Sequence, residues 1–331
     1  MEGGIKGIVK GILSVLRRFS TILRLIVFIA LFSVLVYKIQ PSEILSAVVD
    51  ARPQFLAIAL GIAMVKIAVQ VLRWYYLLGT LDPRPSLKDT VVSLFGGFFL
   101  GAVTPSRTGE LARGMWMTGY SQIRLFSLTV VEKAGNQAVV LIAGLVTLSY
   151  ILPWPYRLLP VAGAMLLVAA ILSVFRWEPF WERQLSRVFS PKTVEQTLTA
   201  FIALSPERLL AVLWMSLAVY TCYSLQFYFV LKSVTDITIP LALKTLPIIY
   251  SADILLPVSM GDFGVKEAAS VTLLGPHGVK GGAALSAAVM QNVLSLVIPG
   301  IIGGVIIARL RRRNGLPALP SDGRDIPLSD R

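Results

Sequence analysis

A chain of 331 residues that is 55% hydrophobic and 15% charged, with a mean hydropathy of +0.74, lies far from soluble domains, where roughly a quarter of residues are charged. Lys and Arg number 31 against 18 Asp and Glu; in so apolar a chain that excess orients the protein and meets anionic lipid headgroups, and no basic, aromatic-interleaved module speaks for nucleic acid. One cysteine, Cys222, and one histidine, His277, exclude an intrachain disulfide, a cysteine-rich metal site and histidine-based zinc or iron chemistry, so no metal or cofactor is expected.

Residues 1–21 set Lys6, Lys10, Arg17 and Arg18 among isoleucines and leucines, the pattern of a basic amphipathic helix on the membrane surface. A helix crossing the hydrocarbon core needs about 20 apolar residues. The first such run, 22–39, ends at Tyr37-Lys38-Ile39-Gln40-Pro41 without a small-x-small cleavage site and is expected to be an uncleaved span. The next, 55–79, carries Lys66, Gln70 and Arg73; Lys66 and Gln70 can line a cavity, and Arg73 is expected to snorkel to the cytoplasmic interface.

The apolar segment 91–103 is too short to cross and runs into Thr104-Pro105-Ser106-Arg107-Thr108-Gly109-Glu110-Leu111-Ala112-Arg113. Proline lacks an amide hydrogen, and irregular backbone at membrane depth is tolerated only against protein or a wet cavity. A helix restarting near Gly109 would offer free N–H groups beside Arg107 and Arg113, an anion site. Span 125–152 follows, with Glu132, Lys133, Asn136 and Gln137; charges there belong in a polar interior or near the interface. Span 158–175 leads to a basic 176–206 connection with Arg176, Arg183, Arg187 and Lys192, expected to hold an interfacial helix.

Span 209–231 precedes a second short apolar segment, 246–258, which breaks at Pro257 and continues Val258-Ser259-Met260-Gly261-Asp262-Phe263-Gly264-Val265-Lys266-Glu267. Asp262 is placed to cap the restarting helix, and Asp253 lies two turns before the break. The last span, 283–308, carries Gln291 and Asn292 and ends at Arg309, Arg311, Arg312 and Arg313; a Pro-, Gly- and Asp-rich tail, 311–331, is expected to be disordered and cytoplasmic.

Landmarks recur in order. Gln70 to Lys88 and Gln226 to Lys244 are both 18 residues; Lys88 to Glu110 is 22 and Lys244 to Glu267 is 23; Glu110 to Asn136 is 26 and Glu267 to Asn292 is 25. Span ends rich in Lys and Arg put both termini in the cytoplasm. The expected fold is therefore an all-α polytopic membrane protein: six full spans plus two re-entrant broken-helix segments in an inverted-topology repeat. Its membrane domain covers 22–310, with repeat one at about 55–152 and repeat two at about 209–308. Pro105, Pro257, Gly261 and Gly264 are the hinges. Arg107, Gly109, Glu110, Arg113, Glu132, Lys133, Asn136, Asp262, Lys266 and Glu267 are the candidate substrate-binding residues.

The run Phe98 to Arg113, with its Pro105-x-Arg107-x-Gly109-Glu110-x-x-Arg113 pattern, the Glu132-Lys133 span and the Pro257 to Glu267 segment together resemble the flippase-like transmembrane region of lysylphosphatidylglycerol synthases. The resemblance covers about residues 20–310. It implies an inverted-repeat fold with two re-entrant helix pairs and, in the full synthases, translocation of an aminoacylated phospholipid between leaflets. Gly261-Asp262-Phe263-Gly264 departs from the plainer glycine run the family leads one to expect, and no aminoacyl-transferring domain follows the membrane region in this chain, so synthesis of that lipid by it is not expected.

The sequence holds no G-x-S-x-G, P-loop or H-E-x-x-H signature. The leading expectation is a flippase in the cell membrane moving a lipid between leaflets: an aminoacyl-phospholipid, an anionic phospholipid or a polyprenyl-linked lipid. A membrane-embedded lipid-modifying enzyme with Glu110 or Glu132 as general base stays open, as does a scaffold subunit for a separate lipid-modifying enzyme. Membrane lipids are the expected partners; a homo-oligomer or a partner enzyme also stays open.

Overall fold

The computed structural model describes residues 49–82, 84–104, 107–176, 186, 204–256 and 263–314. The segment 1–21, the first expected span 22–39, most of the 176–206 connection, Pro105, Pro257, Gly261, Asp262 and the tail beyond residue 314 lie outside the described residues. Those described are helical throughout: α1 (Pro53–Leu78), α2 (Leu87–Ala102), a 3₁₀ helix (Thr108–Trp116), α3 (Gln122–Ile151), α4 (Leu158–Arg176), α5 (Pro206–Val234), α6 (Ile239–Leu255), α7 (Val265–Leu274), α8 (Gly281–Asn292), a π-helical turn (Val293–Val297) and α9 (Ile298–Asn314).

Among the described residues, four helical stretches are long and apolar enough to cross a membrane: Pro53–Leu78, Gln122–Ile151, Glu207–Val234 and Gly281–Leu310. They fall on the expected spans 55–79, 125–152, 209–231 and 283–308, and the chain is a multi-pass α-helical membrane protein. α4 occupies the expected span 158–175 but has only 19 residues and is not one of the four. α2 and α6, with 16 and 17 residues, rise about 25 Å at 1.5 Å per residue, short of the roughly 30 Å core.

Local chemistry explains the helix starts. Ser86 accepts the Asp89 N–H at the head of α2 and Ser205 accepts the Arg208 N–H at the head of α5, each satisfying a donor that a helix leaves open. Pro53 and Pro206 stand where a missing N–H costs nothing. Large apolar side chains such as Met64, Leu72, Leu158, Met165, Leu166 and Trp214 remain outward and exposed, as lipid contact requires.

α1 and α5 pack antiparallel. The Arg52 N–H donates to Ser233 O at 2.9 Å and the Arg52 guanidinium pairs with Asp236 at 2.7 Å, so the start of α1 meets the end of α5. α2 lies on α9 and α6 lies on α3, both through glycine. A Cβ on Gly303 would stand 2.0 Å from Phe95 O, and one on Gly144 would stand 2.0 Å from Ser251 Oγ, so the backbones touch where any other residue would hold them apart. Ala284, Ala287 and Ala288 of α8 pack in the same way into a core with Phe227, Leu231, Ile249 and Tyr250. A second core joins Trp74 and Leu77 of α1 to Leu125 and Leu128 of α3.

Loops close one end of the first half. The Tyr120 hydroxyl donates to Asp82 Oδ2 at 2.9 Å, and the Arg84 N–H donates to Asp82 Oδ1 at 2.9 Å. These bonds, the Arg84 one foremost, hold the Asp82 carboxyl below its ordinary value. The latch therefore persists above the usual carboxylate range and is lost only as pH falls through that depressed value.

Gly303→Ala is expected to destabilise the protein by about 1–3 kcal/mol through overpacking against α2. Gly61→Ala, whose Cβ would meet nothing within 4 Å, is expected to be neutral or stabilising. Thermal unfolding of the two variants in detergent, followed by tryptophan fluorescence, checks the contrast.

Candidate functional site

Residues four and three apart share one helix face, and Lys66, Gln70 and Arg73 on α1 do so. Arg73 turns toward α3, where Glu132, Lys133 and Asn136 follow, and Glu132 in turn meets Arg113 of the 3₁₀ helix that also carries Glu110. That polar segment is seated on a glycine groove of α2. A Cβ on Gly97 would stand 3.0 Å from Arg113 Cβ, one on Gly101 2.8 Å from Glu110 Cγ, and one on Gly96 2.3 Å from the Trp116 ring.

Glu132, 5% exposed, is held between two guanidinium groups. Its Oε1 accepts from Arg73 Nη2 at 2.6 Å, and its Oε2 accepts from Arg113 Nη2. Arg73, fully buried, also donates to Asn136 Oδ1 at 2.6 Å and Ser216 Oγ at 2.9 Å. Arg113 donates to Thr129 Oγ1 at 3.2 Å and lies 3.7 Å above the Trp74 ring, a cation–π contact.

Glu110 forms a second cluster, again one carboxylate bonded by two cations. It accepts from Arg107 Nε at 2.6 Å and pairs with Lys133 Nζ at 2.8 Å, and Lys133 reaches Arg107 O at 3.5 Å. Arg107 has φ 54°, a left-handed conformation that costs a non-glycine residue of order 1–3 kcal/mol and persists only where surroundings over-determine it; the ion pair and the carbonyl contact do so here.

The second half supplies the opposite wall. Lys66 Nζ donates to Gln226 Oε1 at 2.9 Å and Ser295 Oγ at 2.8 Å, and stands 4.9 Å from the Tyr223 ring. Ser295 lies in the π-helical turn, a local widening that changes which side chains face inward. Between the walls is a cavity of about 260 Å³, lined by Lys66, Gln70 and all six charged and amide candidates of the first half from Arg107 to Asn136, and closed by Tyr220, Tyr223, Tyr250 and Asp253.

Lys266 and Glu267 do not line this cavity. Lys266 donates to Tyr223 Oη at 2.7 Å and to Asn292 Oδ1, while Asn292 Nδ2 donates to Glu267 Oε1 at 2.7 Å. The Gly264 N–H donates to Glu267 Oε2 at 2.6 Å, so the restarting α7 is capped by its own third residue. Gly264 has φ 120°, a conformation open to glycine. Asp262, expected to be the cap, is outside the described residues.

Two expectations need correction. Arg73 does not snorkel: Glu132, Asn136 and Ser216 give a buried guanidinium more than the interface would. The restart at Gly109 is no open anion site. The segment is a 3₁₀ helix, the Gly109 N–H is taken by Thr104 Oγ1 at 2.7 Å, and the Glu110 N–H by Arg107 O at 3.2 Å. Any anion affinity comes from side chains. Sequence reasoning also missed Tyr220, Tyr223, Tyr250, Ser295 and Gln226. The spacing from Lys66 through Gln70 to Arg73 was a usable signal for the α1 face; the tyrosines and Ser295 gave none.

The family described as the lysylphosphatidylglycerol synthase TM region matches residues 21–303. The UPF0104 membrane protein MJ1595 of Methanocaldococcus jannaschii is similar at 19% identity over 321 aligned residues, covering 88% of this chain and 95% of that protein.

Glu132→Gln leaves Arg73 and Arg113 facing a neutral amide. It is expected to cost about 3–5 kcal/mol, the range for one partner lost from a buried ion pair, whereas Gln137→Ala on the exposed cavity rim is expected to change stability by less than about 0.5 kcal/mol. Denaturant unfolding in detergent measures both.

Proposed function

This chain belongs to the lysylphosphatidylglycerol synthase transmembrane-region family, and on that premise we propose that it is a flippase moving a lipid between leaflets. The observation that carries the proposal is the charged cavity of about 260 Å³ at the meeting of the two halves, between α1 and α3 on one side and α5, α6 and the π-helical turn on the other. In transporters built from related halves, sites lie where discontinuous helices meet near the midplane. The polar headgroup enters this cavity while the tails stay in lipid.

The architecture proposed with it has six full spans, two re-entrant elements and inverted repeats, with both termini cytoplasmic in the cell membrane. Three contacts support it. The Asp82–Tyr120 bond joins the loops that flank the first broken element, which suits an element that leaves by the face it entered. Ile237 and Val279, which flank the second, share one apolar cluster. The halves also exchange partners: α2 of the first lies on α9 of the second, and α6 of the second lies on α3 of the first. Gly144 makes the tight approach to α6, and Gly303, with Gly300 and Gly304 beside it, makes the one to α2.

Within the site, Arg107, Arg113 and Lys133 attract the phosphate and Glu110 and Glu132 hold those cations in place. Both oxygens of each carboxylate are already bonded by cations, an arrangement suited to electrostatic positioning and not to removing a substrate proton.

In sealed proteoliposomes, headgroup accessibility of a labelled anionic, aminoacylated or polyprenyl-linked lipid is expected to exchange faster than in protein-free vesicles, and Lys133→Ala is expected to slow exchange about tenfold, the worth of one charge-assisted bond. No acceleration for any of these lipids, or chemical turnover of lipid in detergent without a bilayer, defeats the reading. For the topology, Trp154→Cys and His277→Cys in a Cys222→Ser background are expected to react with an impermeant thiol reagent added to intact cells, and Arg84→Cys only after lysis.

A further inference from the structure

Two voids are lined by the same pair of elements, α1 and the π-helical turn. The charged cavity takes Lys66 and Gln70 from α1 and Ser295 from the turn. The second, a groove of about 360 Å³, takes Leu56 and Leu60 from α1, Met290 from α8 and Val293 and Leu294 from the turn, and its described lining is wholly apolar. Lys66 joins the seam between the two elements, since its ammonium donates to Ser295 Oγ at 2.8 Å. Leu60 precedes Lys66 by six residues, about 9 Å along the helix axis, so the groove begins within a headgroup's reach of the charged cavity and runs back toward Pro53. Leu60 is 46% exposed, which leaves the groove open to entry from the side.

We infer that the groove is a lipid-tail site: one acyl or isoprenoid chain lies in it while the headgroup of the same molecule occupies the charged cavity, and the lipid enters sideways at the seam where Lys66 meets Ser295. This rests on the lipid-translocation reading of the cavity and extends it to one tail. An apolar groove continuous with a charged cavity is complementary to an amphiphile, because a hydrocarbon chain brings no polar group that the groove would have to satisfy. A packed helix suits it less. Membrane helices approach closely through small residues, and this protein's close approaches use Gly144, Gly303, Ala284 and Ala288. The groove is instead lined chiefly by Leu, Val and Met, and a flexible Met side chain adapts to a partner without fixed shape.

The test places the photoreactive amino acid p-benzoylphenylalanine at Leu60 of the full-length protein in vesicles of phosphatidylglycerol and phosphatidylcholine. Irradiation is expected to attach lipid; attachment to residues 22–39 of the same chain, or to a second copy, overturns the inference. A second arm reconstitutes the unsubstituted protein with phosphatidylglycerol or diacylglycerol carrying the same tail diazirine and maps the adducts by mass spectrometry. Phosphatidylglycerol is expected to label the Leu56–Leu60 and Met290–Leu294 peptides about tenfold more than diacylglycerol does, the worth of one charge-assisted headgroup bond, and more densely than the exposed Met165 and Leu166 of α4. Equal labelling by the two lipids, or equal labelling of α4, reduces the groove to ordinary lipid-facing surface and overturns the inference. Ala57→Trp fills the groove from an exposed position and is expected to lower its labelling about tenfold. Ala68→Trp, exposed on α1 and part of neither lining, is expected to leave labelling unchanged, and equal effects of the two variants count against the groove. None of these arms reads transport. Vesicles that fail to translocate lipid therefore leave a labelled groove standing as a lipid site, and translocation with an unlabelled groove defeats the inference alone.

Discussion

Glu132, held between Arg73 and Arg113, is the interaction on which the rest of the site depends. Three separate elements meet at one carboxylate: α1 brings Arg73, the 3₁₀ helix brings Arg113 and α3 brings the acid. Arg73 extends the junction to α5 through Ser216. A charge buried in a membrane protein is tolerated only when geometry and further hydrogen bonds satisfy it, and here Asn136, Thr129 and the Trp74 ring supply them. The ion cluster thereby fixes where an otherwise irregular segment lies.

Charge alone does not bring those elements close enough. Between membrane helices there is little hydrophobic drive, since lipid is as apolar as leucine, so close packing of small residues has to supply the attraction. Gly96, Gly97 and Gly101 let α2 receive Trp116, Arg113 and Glu110. The opposite face of α2 meets Gly300, Gly303 and Gly304 of α9. One short helix is therefore recessed on one side to seat a polar segment and touched on the other by a recessed span. That double fit fixes the position of a helix too short to cross.

Much of this was legible in the residues. Long apolar runs located the four stretches able to cross, because the lipid core imposes a length. α2 ends at Ala102 and α6 at Leu255, just ahead of the breaks expected at Pro105 and Pro257, which themselves lie outside the described residues. Arg107, Glu110, Arg113, Glu132, Lys133 and Asn136 were singled out by the cost of polarity in a span, and the fold gathers them around one cavity. What sequence could not give is pairing. Arg73 near a span end has two outcomes, interface or partner, and only the tertiary approach of α3 decides between them. The 3₁₀ character of 108–116 was hidden for a related reason: Thr104 Oγ1 captures the Gly109 N–H, a local competition that periodicity does not register.

Irregular backbone and clustered charge occur together here for one physical reason. A regular helix satisfies its own backbone and presents side chains at fixed 100° steps, which spreads three or four charges around its circumference. Breaking α2 and restarting as a tighter 3₁₀ turn instead brings Arg107, Glu110 and Arg113 to one side. The freed backbone groups are taken up by Thr104 and Arg107, and the glycine groove of α2 accepts the crowding. The opposite wall makes the same trade with a different device, since the π-helical turn delivers Ser295 to Lys66. A charged cavity within a helical membrane protein thus follows from two local departures from α-helical geometry, each stabilised by contacts that regular helices could not make.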